Sequence, residues 1–448
     1  MGPAYHSVTA ARAKRFSLLV LPLLWALGGA SLHAQQVPPL VTADALGAQI
    51  YTATASTGMV MVVVRDGDVF VQEYGETSPG SGQKPNEHSL VRLCSLSKII
   101  ATDLLNKLVV DGTVHFTDTL QHFAPTGGHV PTLTLHGPVV RAMTLGDLAT
   151  HTSGLPREVG PTPRGVSYFA YPDHETRWAW LAKQKLATTP GTYSSYSNIG
   201  FALLGDALEE ASGKPYAELF AERTAKPLGL TETTLSPTPE QCGRLMAGAH
   251  RSDACGDTQA SAGAGGMYST AADMTLWLKY LLGLPGVPVH QNSAAQAVYV
   301  DPLQLKGTKG LDHAGQPTGI GLGWLRLGYP GDPSMIIQKT GGGGGFTTYI
   351  ALDPARHAGV FVAATDGTHF THTHMFQQIN NLLLAVSGLP AQPLPVDPEP
   401  VPAHRLRDSK RTRSSSPHSN VSHSVTPRAR AKVGTTHQGR ASRRQPSQ

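Results

Sequence analysis

Hydrophobic positions change their period along this chain, and the changes divide it into elements. Residues 59–64 read Met-Val-Met-Val-Val-Val, followed by the turn pair Asp66-Gly67 and then Val69-Phe70-Val71. That pattern predicts a β-hairpin over 59–74. From Ser95 the run Ile99-Ile100-Ala101-Thr102-Asp103-Leu104-Leu105 reads as a helix over 95–111, ended by Asp111-Gly112. Helical patterns dominate from roughly 145 to 285, with 201–211 as one example. Thr270 and Asp273 resemble a capping box opening a helix at 274–282. Strand patterns return at 322–327, 335–338, 347–352 and 359–364, and a last helix covers 375–386 before Gly388. Strands at both ends with helices between predict an α/β fold. One sheet is built from the N- and C-terminal parts, with a mainly helical insertion.

Both ends of the 448-residue chain depart from this pattern. Residues 1–34 carry Arg12, Lys14 and Arg15, then an apolar stretch at 16–27, then small residues ending in Leu32-His33-Ala34. This is a secretory signal pattern with cleavage expected after Ala34. The apolar run is short and broken by Pro22, which disfavours a transmembrane anchor. A soluble catalytic body is expected over 35–390. Residues 391–448 form a Pro-rich, then Ser/Arg/His-rich tail that lacks the apolar residues needed for a core. The tail reads either as a solvated appendage or as an electrostatic tether to an anionic envelope or membrane surface.

Charge sharpens that division. The formal net charge is +5, yet from Arg405 onward eleven Lys/Arg face Asp408 alone, and residues 35–404 carry −8. The basic balance therefore belongs to the ends, and it gives no reason to assign a nucleic-acid partner to the body.

Three short motifs carry the chemistry. In Ser95-Leu96-Ser97-Lys98 a helical spacing of three puts a hydroxyl and an amine on neighbouring positions of one face, where a neutral amine can take the hydroxyl proton. Tyr196-Ser197-Asn198 follows the turn Pro190-Gly191-Thr192 and offers a phenol to relay protons and an amide to hold a substrate amide. Lys339-Thr340-Gly341 ends the strand-like 335–338 and runs into Gly342–Gly345. Its cation and hydroxyl suit a substrate carboxylate, and its glycines let a substrate backbone lie close. Together they describe a serine site that is acylated by a peptide or lactam bearing a carboxylate.

With these motifs the chain resembles the serine β-lactamases and low-molecular-mass penicillin-binding proteins, on the class C side because the middle motif is Tyr-x-Asn. More narrowly it is similar to the AmpH-type D-alanyl-D-alanine carboxypeptidase/endopeptidase group. Supporting segments are Tyr74-Gly75-Glu76-Thr77, His151-Thr152-Ser153-Gly154-Leu155-Pro156-Arg157-Glu158, Ser236 to Cys242, and Ile336 to Gly341 with Phe346. The resemblance covers roughly 40–390, with Cys94 departing from the small apolar residue expected beside the nucleophile. It implies a β-lactamase/transpeptidase-like fold with the antiparallel sheet flanked by helices. Ser95 is then the nucleophile, Lys98 and Tyr196 its proton-handling partners, and the backbone N–H groups of Ser95 and Gly342 the oxyanion hole. Asn198, Lys339, Thr340 and Gly341 bind substrate. The implied partners are peptidoglycan stem peptides and β-lactams, in the periplasm and without cofactor or metal. The same residues are compatible with a class C-like β-lactamase or a promiscuous esterase, and a non-catalytic envelope-binding protein is the third class considered.

Other candidates read as structural. Cys242 and Cys255 are separated by twelve residues, and export favours a disulfide over two free thiols. Cys94 is then the odd thiol, expected buried beside the nucleophile. His151 reads as a hydrogen-bonding residue, His369, His372 and His374 as a polar helix start, and Trp178 and Trp180 as cleft or core.

Overall fold

The computed structural model describes residues 38–134, 140–250, 252–286, 293–365 and 374–395. The signal pattern, His369, His372 and the basic tail from Val396 onward lie outside the described residues. One packed unit runs to Pro395, five residues past the expected boundary. Its last stretch is held by Gln392, which exchanges backbone hydrogen bonds of 2.8 Å with the Asn381 amide.

A seven-stranded antiparallel sheet organises the molecule. Its strands are β1 (Gly58–Arg65), β2 (Asp68–Gly75), β3 (Gly319–Ile320), β4 (Leu325–Leu327), β5 (Ile336–Gly343), β6 (Phe346–Asp353) and β7 (Ala358–Thr365), in the order β2-β1-β7-β6-β5-β4-β3. The predicted hairpin thus sits where β1 pairs with β7, Met59 opposite Ala364. The expected strand at 322–327 is shorter, only β4, because Gly321 to Trp324 turn back on themselves through Gly321 N–H to Trp324 O. Strand β5 is longer than expected. The Lys-Thr-Gly motif does not end it, since Gly341, Gly342 and Gly343 stay paired with Thr348, Thr347 and Phe346.

The apolar run of β1 is explained by burial on both faces. Val60, Val62 and Val64 join the larger core, and Met59, Met61 and Val63 the smaller one on the opposite face. The principal helices are α1 (Pro38–Thr54), α2 (Ser97–Val110), α3 (Leu145–Ala149), α4 (His174–Leu181), α5 (Asn198–Ser212), α6 (Ala271–Leu281) and α7 (Met375–Val386). Helices α1 and α7 cover the smaller core, while α2, α5 and α6 build the larger one. Helix α6 starts as expected at Thr270, whose side chain accepts from Asp273 N–H at 3.3 Å. The reciprocal half of the box is missing, because the Asp273 carboxylate accepts instead from the backbone N–H groups of Thr231, Glu232 and Thr233.

Helix α5 carries the middle motif at its N-terminus and is pinned from below. Arg177 on α4 meets Asp206 on α5 through two hydrogen bonds, one of 2.6 Å, and Trp178 Nε1 donates to the same carboxylate at 2.8 Å. Trp178 is therefore core rather than cleft. The same guanidinium donates to the carbonyls of Pro172 and Ala260 at 2.9 and 2.7 Å. Removing one member of a buried ion pair strands its partner's charge. Asp206→Ala is expected to cost about 3–5 kcal/mol in urea unfolding; a loss below about 1 kcal/mol would show that the pair is not what fixes α4 to α5.

Candidate active site

The turn carrying Ser95, the expected nucleophile and called here the nucleophile turn, is fastened before α2 begins. Cys94–Leu96 form one 3-10 turn, so Ser95 precedes the helix proper, which opens at Ser97. Cys94 takes φ +51°, a conformation that is unfavourable for a residue with a Cβ. Its surroundings hold it there. Leu93 N–H donates to Met267 O at 2.8 Å, and Thr348 Oγ1 on β6 donates to Leu93 O at 2.8 Å. Ser97 Oγ donates to Cys94 O at 2.8 Å and accepts from Met267 N–H. The Cys94 thiol is buried, its pKa is pushed up to about 12 by burial, and it donates to Gly343 O.

The three motifs converge on Ser95. Tyr196 OH donates to Ser95 Oγ at 2.6 Å, and Lys98 Nζ lies 3.2 Å from the same oxygen. Lys98 Nζ also donates to Asn198 Oδ1 at 2.7 Å and to Ala264 O at 2.5 Å. Its side chain is fully buried, and burial, followed by the charges of Lys339 and Arg157, holds its pKa well below the usual lysine value. Tyr196 moves the other way, to about 12, because burial disfavours the phenolate. Lys339 is 2% exposed, donates to Thr340 O at 3.1 Å, and is lowered to about 7 by burial and then by Arg157. The cationic groups of Lys98, Lys339 and Arg157 stand 4.9, 4.9 and 4.8 Å from the Tyr196 ring centroid.

Two side chains on the His151–Glu158 segment belong to the site although motif reasoning did not select them. Arg157 packs over Tyr196, and Glu158 Oε1 accepts from Asn198 Nδ2 at 2.5 Å. Tyr168 OH donates to the same oxygen at 2.8 Å and accepts from Asn198 Nδ2 at 2.9 Å. The only advance signal was the proximity of Arg157 and Glu158 to His151 in a segment used for family resemblance. Asn198, expected to bind a substrate amide, thus has both Nδ2 donors engaged within the protein, so a substrate carbonyl would have to displace one of those bonds, while Oδ1 accepts from Lys98 and keeps a second lone pair. His151 Nδ1 accepts from Ser197 N–H at 3.1 Å, and its ring packs on Tyr196 and Phe201. Burial holds it well below the usual histidine value, so it is a neutral brace.

Cys242 and Cys255 are joined by a disulfide. The loop it closes reaches the glycine run, with Asp253 N–H donating to Gly344 O at 3.3 Å. Arg92, between Phe169 and Tyr268, donates to Asp253 O and Ala254 O. Among the described residues, no group of three or more His, Cys, Asp or Glu is placed to hold a metal ion.

A nucleophile turn tied to a central antiparallel sheet, with a Tyr-Ser-Asn helix start and a Lys-Thr-Gly strand around it, is the arrangement of a serine acyl-transfer fold. The chain belongs to the beta-lactamase family, whose pattern it matches over residues 43–398. It is 39% identical to the D-alanyl-D-alanine-carboxypeptidase/endopeptidase AmpH of Escherichia coli K12 over 381 residues, 83% of this chain and 97% of that protein. Among solved structures it is similar to a beta-lactamase/D-alanine carboxypeptidase from Yersinia pestis, at 38% identity and TM-score 0.73, covering 78% of this chain and 98% of that one. A class C beta-lactamase from Rhodobacter sphaeroides shares the fold at 22% identity and TM-score 0.60, covering 75% and 98%.

Glycine is required at one position of the Lys-Thr-Gly strand and not at the next. A Cβ on Gly341 would lie 2.2 Å from Thr348 Oγ1 and 2.8 Å from Leu93 O, the contact that fastens the nucleophile turn. On Gly342 the nearest atom is Phe346 O at 3.9 Å. Gly341→Ala is expected to lower the melting temperature clearly and Gly342→Ala to leave it unchanged; equal effects would contradict this account of the strand.

Proposed function

We propose that this protein is a penicillin-binding serine D-alanyl-D-alanine carboxypeptidase/endopeptidase that acts on peptidoglycan peptides through an acyl-enzyme on Ser95. Export to the periplasm, suggested by residues 1–34, is part of this reading. So is substrate recognition by Lys339 and Thr340 at a carboxylate.

The hydrogen-bond inventory of Lys98 carries it. A neutral amine has two N–H donors and one lone pair. Asn198 Oδ1 and Ala264 O can only accept, so in the neutral form that burial favours they take both donors and leave the lone pair for the Ser95 hydroxyl, 3.2 Å away. Glu158 supports an orientation of the Asn198 amide with Oδ1 facing Lys98, because only its N–H₂ group can donate to a carboxylate. Tyr196 supplies the other contact of Ser95 Oγ as a donor. Lys98 is therefore the base for acylation and Tyr196 the acid. As Ser95 Oγ bonds to the scissile carbonyl carbon, its proton passes to Lys98. The C–N bond then breaks, and the leaving nitrogen takes a proton from Tyr196, which Lys98 restores. Water repeats the sequence in place of the amine to release the acid. The oxyanion hole falls to the N–H groups of Ser95 and Gly342, where loss of one donor typically costs about 3 kcal/mol in the transition state.

The class C-like β-lactamase reading uses the same acyl-enzyme and differs only in how fast water clears it. High identity to the Escherichia coli carboxypeptidase/endopeptidase, over nearly all of that protein, favours the peptidase. Intact-protein mass spectrometry with benzylpenicillin tests the assignment. A penicilloyl adduct is expected on Ser95 and none on Ser95→Ala; an adduct on that variant at the wild-type rate would remove Ser95 as nucleophile. A long-lived adduct supports the peptidase, and rapid drug turnover with little adduct supports the β-lactamase.

Protonation of Lys339 sets a second expectation. Its pKa of about 7 means that the free enzyme loses this cation as pH rises through that value. For substrates with a free carboxylate, kcat/KM should fall on the basic side with a midpoint near 7, and an uncharged ester should lack this limb. Arg157 lowers the Lys339 pKa, so Arg157→Gln should move the limb to higher pH. A limb shared by the ester, or one that does not move, would refute the carboxylate role.

A further inference from the structure

The Cys242–Cys255 disulfide takes no part in the acylation chemistry, yet both its ends serve the run of chain that leads into the nucleophile turn. On the Cys242 side, Leu90 N–H donates to Arg244 O at 2.9 Å and Met246 N–H donates to Leu90 O at 3.0 Å. On the Cys255 side, Arg92 Nη2 donates to Asp253 O at 3.2 Å and to Ala254 O at 2.7 Å. Arg92 is 2% exposed, and its Nε has no partner among the described residues. The two loop carbonyls and the faces of Phe169 and Tyr268 therefore hold a buried guanidinium that cannot give up its charge. Gly344 leans on the same side chain. A Cβ there would lie 2.9 Å from Arg92 Cδ and 2.8 Å from the Phe169 ring, and Gly344 O accepts from Asp253 N–H. Two residues earlier stands Gly342, whose N–H is assigned to the oxyanion hole.

Packing does little to fix this loop. From Ala247 to Asp257 the chain has no Val, Leu, Ile, Met, Phe, Tyr or Trp to bury in a core. The chain on either side is fastened independently of the S–S bond. Ala247 N–H donates to Thr77 O at 2.8 Å, and Thr258 Oγ1 donates to Leu235 O and Gly266 O at 2.9 and 2.6 Å. Opening the bond therefore loosens the loop while the rest of the fold stays tied. Both cysteines are half-buried beside exposed Gly243 and Ala254, within reach of a small thiol, whereas Cys94 is buried. We propose that this disulfide is a redox control on acylation: closed, it holds Arg92 and the glycine turn in the reactive arrangement, and opened by a dithiol it releases them and slows attack by Ser95. In the opening step one thiolate of the dithiol attacks a cysteine sulfur, breaks the S–S bond and forms a mixed disulfide. The second thiolate then displaces that cysteine, so the dithiol leaves as a disulfide and the two cysteines gain two electrons and two protons. The control rests on the acyl-enzyme reading of Ser95, and Arg92 is a positioning residue in it.

The test follows benzylpenicillin labelling of Ser95 by intact-protein mass, on oxidised protein and on protein treated with dithiothreitol that is then removed without air. Alkylation of two thiols confirms the opening, since Cys94 is buried with its pKa pushed up to about 12. At saturating drug the acylation step should slow by about tenfold, part of the 10²–10³ lost when an oxyanion donor is removed. The dissociation constant of the drug should stay unchanged, and reoxidation should restore the rate. The double variant Cys242→Ser, Cys255→Ser should match the opened protein and ignore the dithiol; treatment of wild type carries the test even where that variant does not fold. Near-UV circular dichroism separates loss of position from loss of fold. An opened protein that keeps the oxidised rate overturns the control, and so does a slowing that tracks loss of the folded signal, which would make the disulfide a staple only. Labelling that ignores the dithiol overturns the control alone; no labelling of oxidised protein overturns the acyl-enzyme reading and the control with it.

Discussion

Removal of water from one amine and one phenol is the constraint on which this site depends. Lys98 and Tyr196 are both buried against Ser95, and the same desolvation acts on them in opposite senses. It favours whichever form is uncharged, so it lowers the lysine pKa and raises that of the tyrosine. The proposed roles of Lys98 as base and Tyr196 as acid follow the same two directions. Lys339 and Arg157 reinforce the assignment at Lys98 through their charges. The arrangement also explains how three basic side chains can crowd one aromatic ring: the ring face attracts a cation on Lys339 or Arg157, and burial lowers the Lys98 pKa, which reduces the repulsion among them.

Such a site needs rigid walls, because a lysine that could swing into water would lose the burial that lowers its pKa. The walls come from the sheet. Strands β1 and β7 are buried on both faces, and β5 and β6 present Gly341 and Thr348 directly to the nucleophile turn. Backbone strain at Cys94 is held by hydrogen bonds at Leu93 and Ser97 and by close contact with β5. On the opposite side, the Arg177–Asp206 pair fixes α5, and His151 braces the Tyr196 ring. The disulfide loop adds a further tie between the glycine run and Arg92.

Elements with strong local patterning were legible from the chain. The hairpin at 58–75, the helix after Ser95, β6, β7 and α7 fall within a residue or two of the periodicity reading. Helix α1 was not foreseen, because its Ala, Gly and Thr positions form no clear apolar stripe; it exists by packing on the sheet and α7. Strand β5 outran its motif because pairing with β6, a tertiary contact, carries glycines that have no strand preference of their own. In the site, the Ser95, Tyr196 and Lys339 motifs announced themselves by residue type, spacing and order. Glu158, Tyr168 and Ala264 did not, since a carboxylate, a phenol and a backbone carbonyl carry no motif.

The sequence by itself therefore determined the chemical parts: a hydroxyl with an amine three residues on, a phenol with an amide, and a cation beside glycine. It also determined the hydrophobic pattern that forces a sheet to form from both ends of the chain. Tertiary structure alone decided the burial, the pKa shifts and the hydrogen-bond partners of those parts. Lys98 meets Asn198 and Ala264 across separations of 100 and 166 residues, and Glu158 reaches Asn198 across 40. A pKa is set by every group that removes water or adds charge around a proton, and that sum is taken in space rather than along the chain.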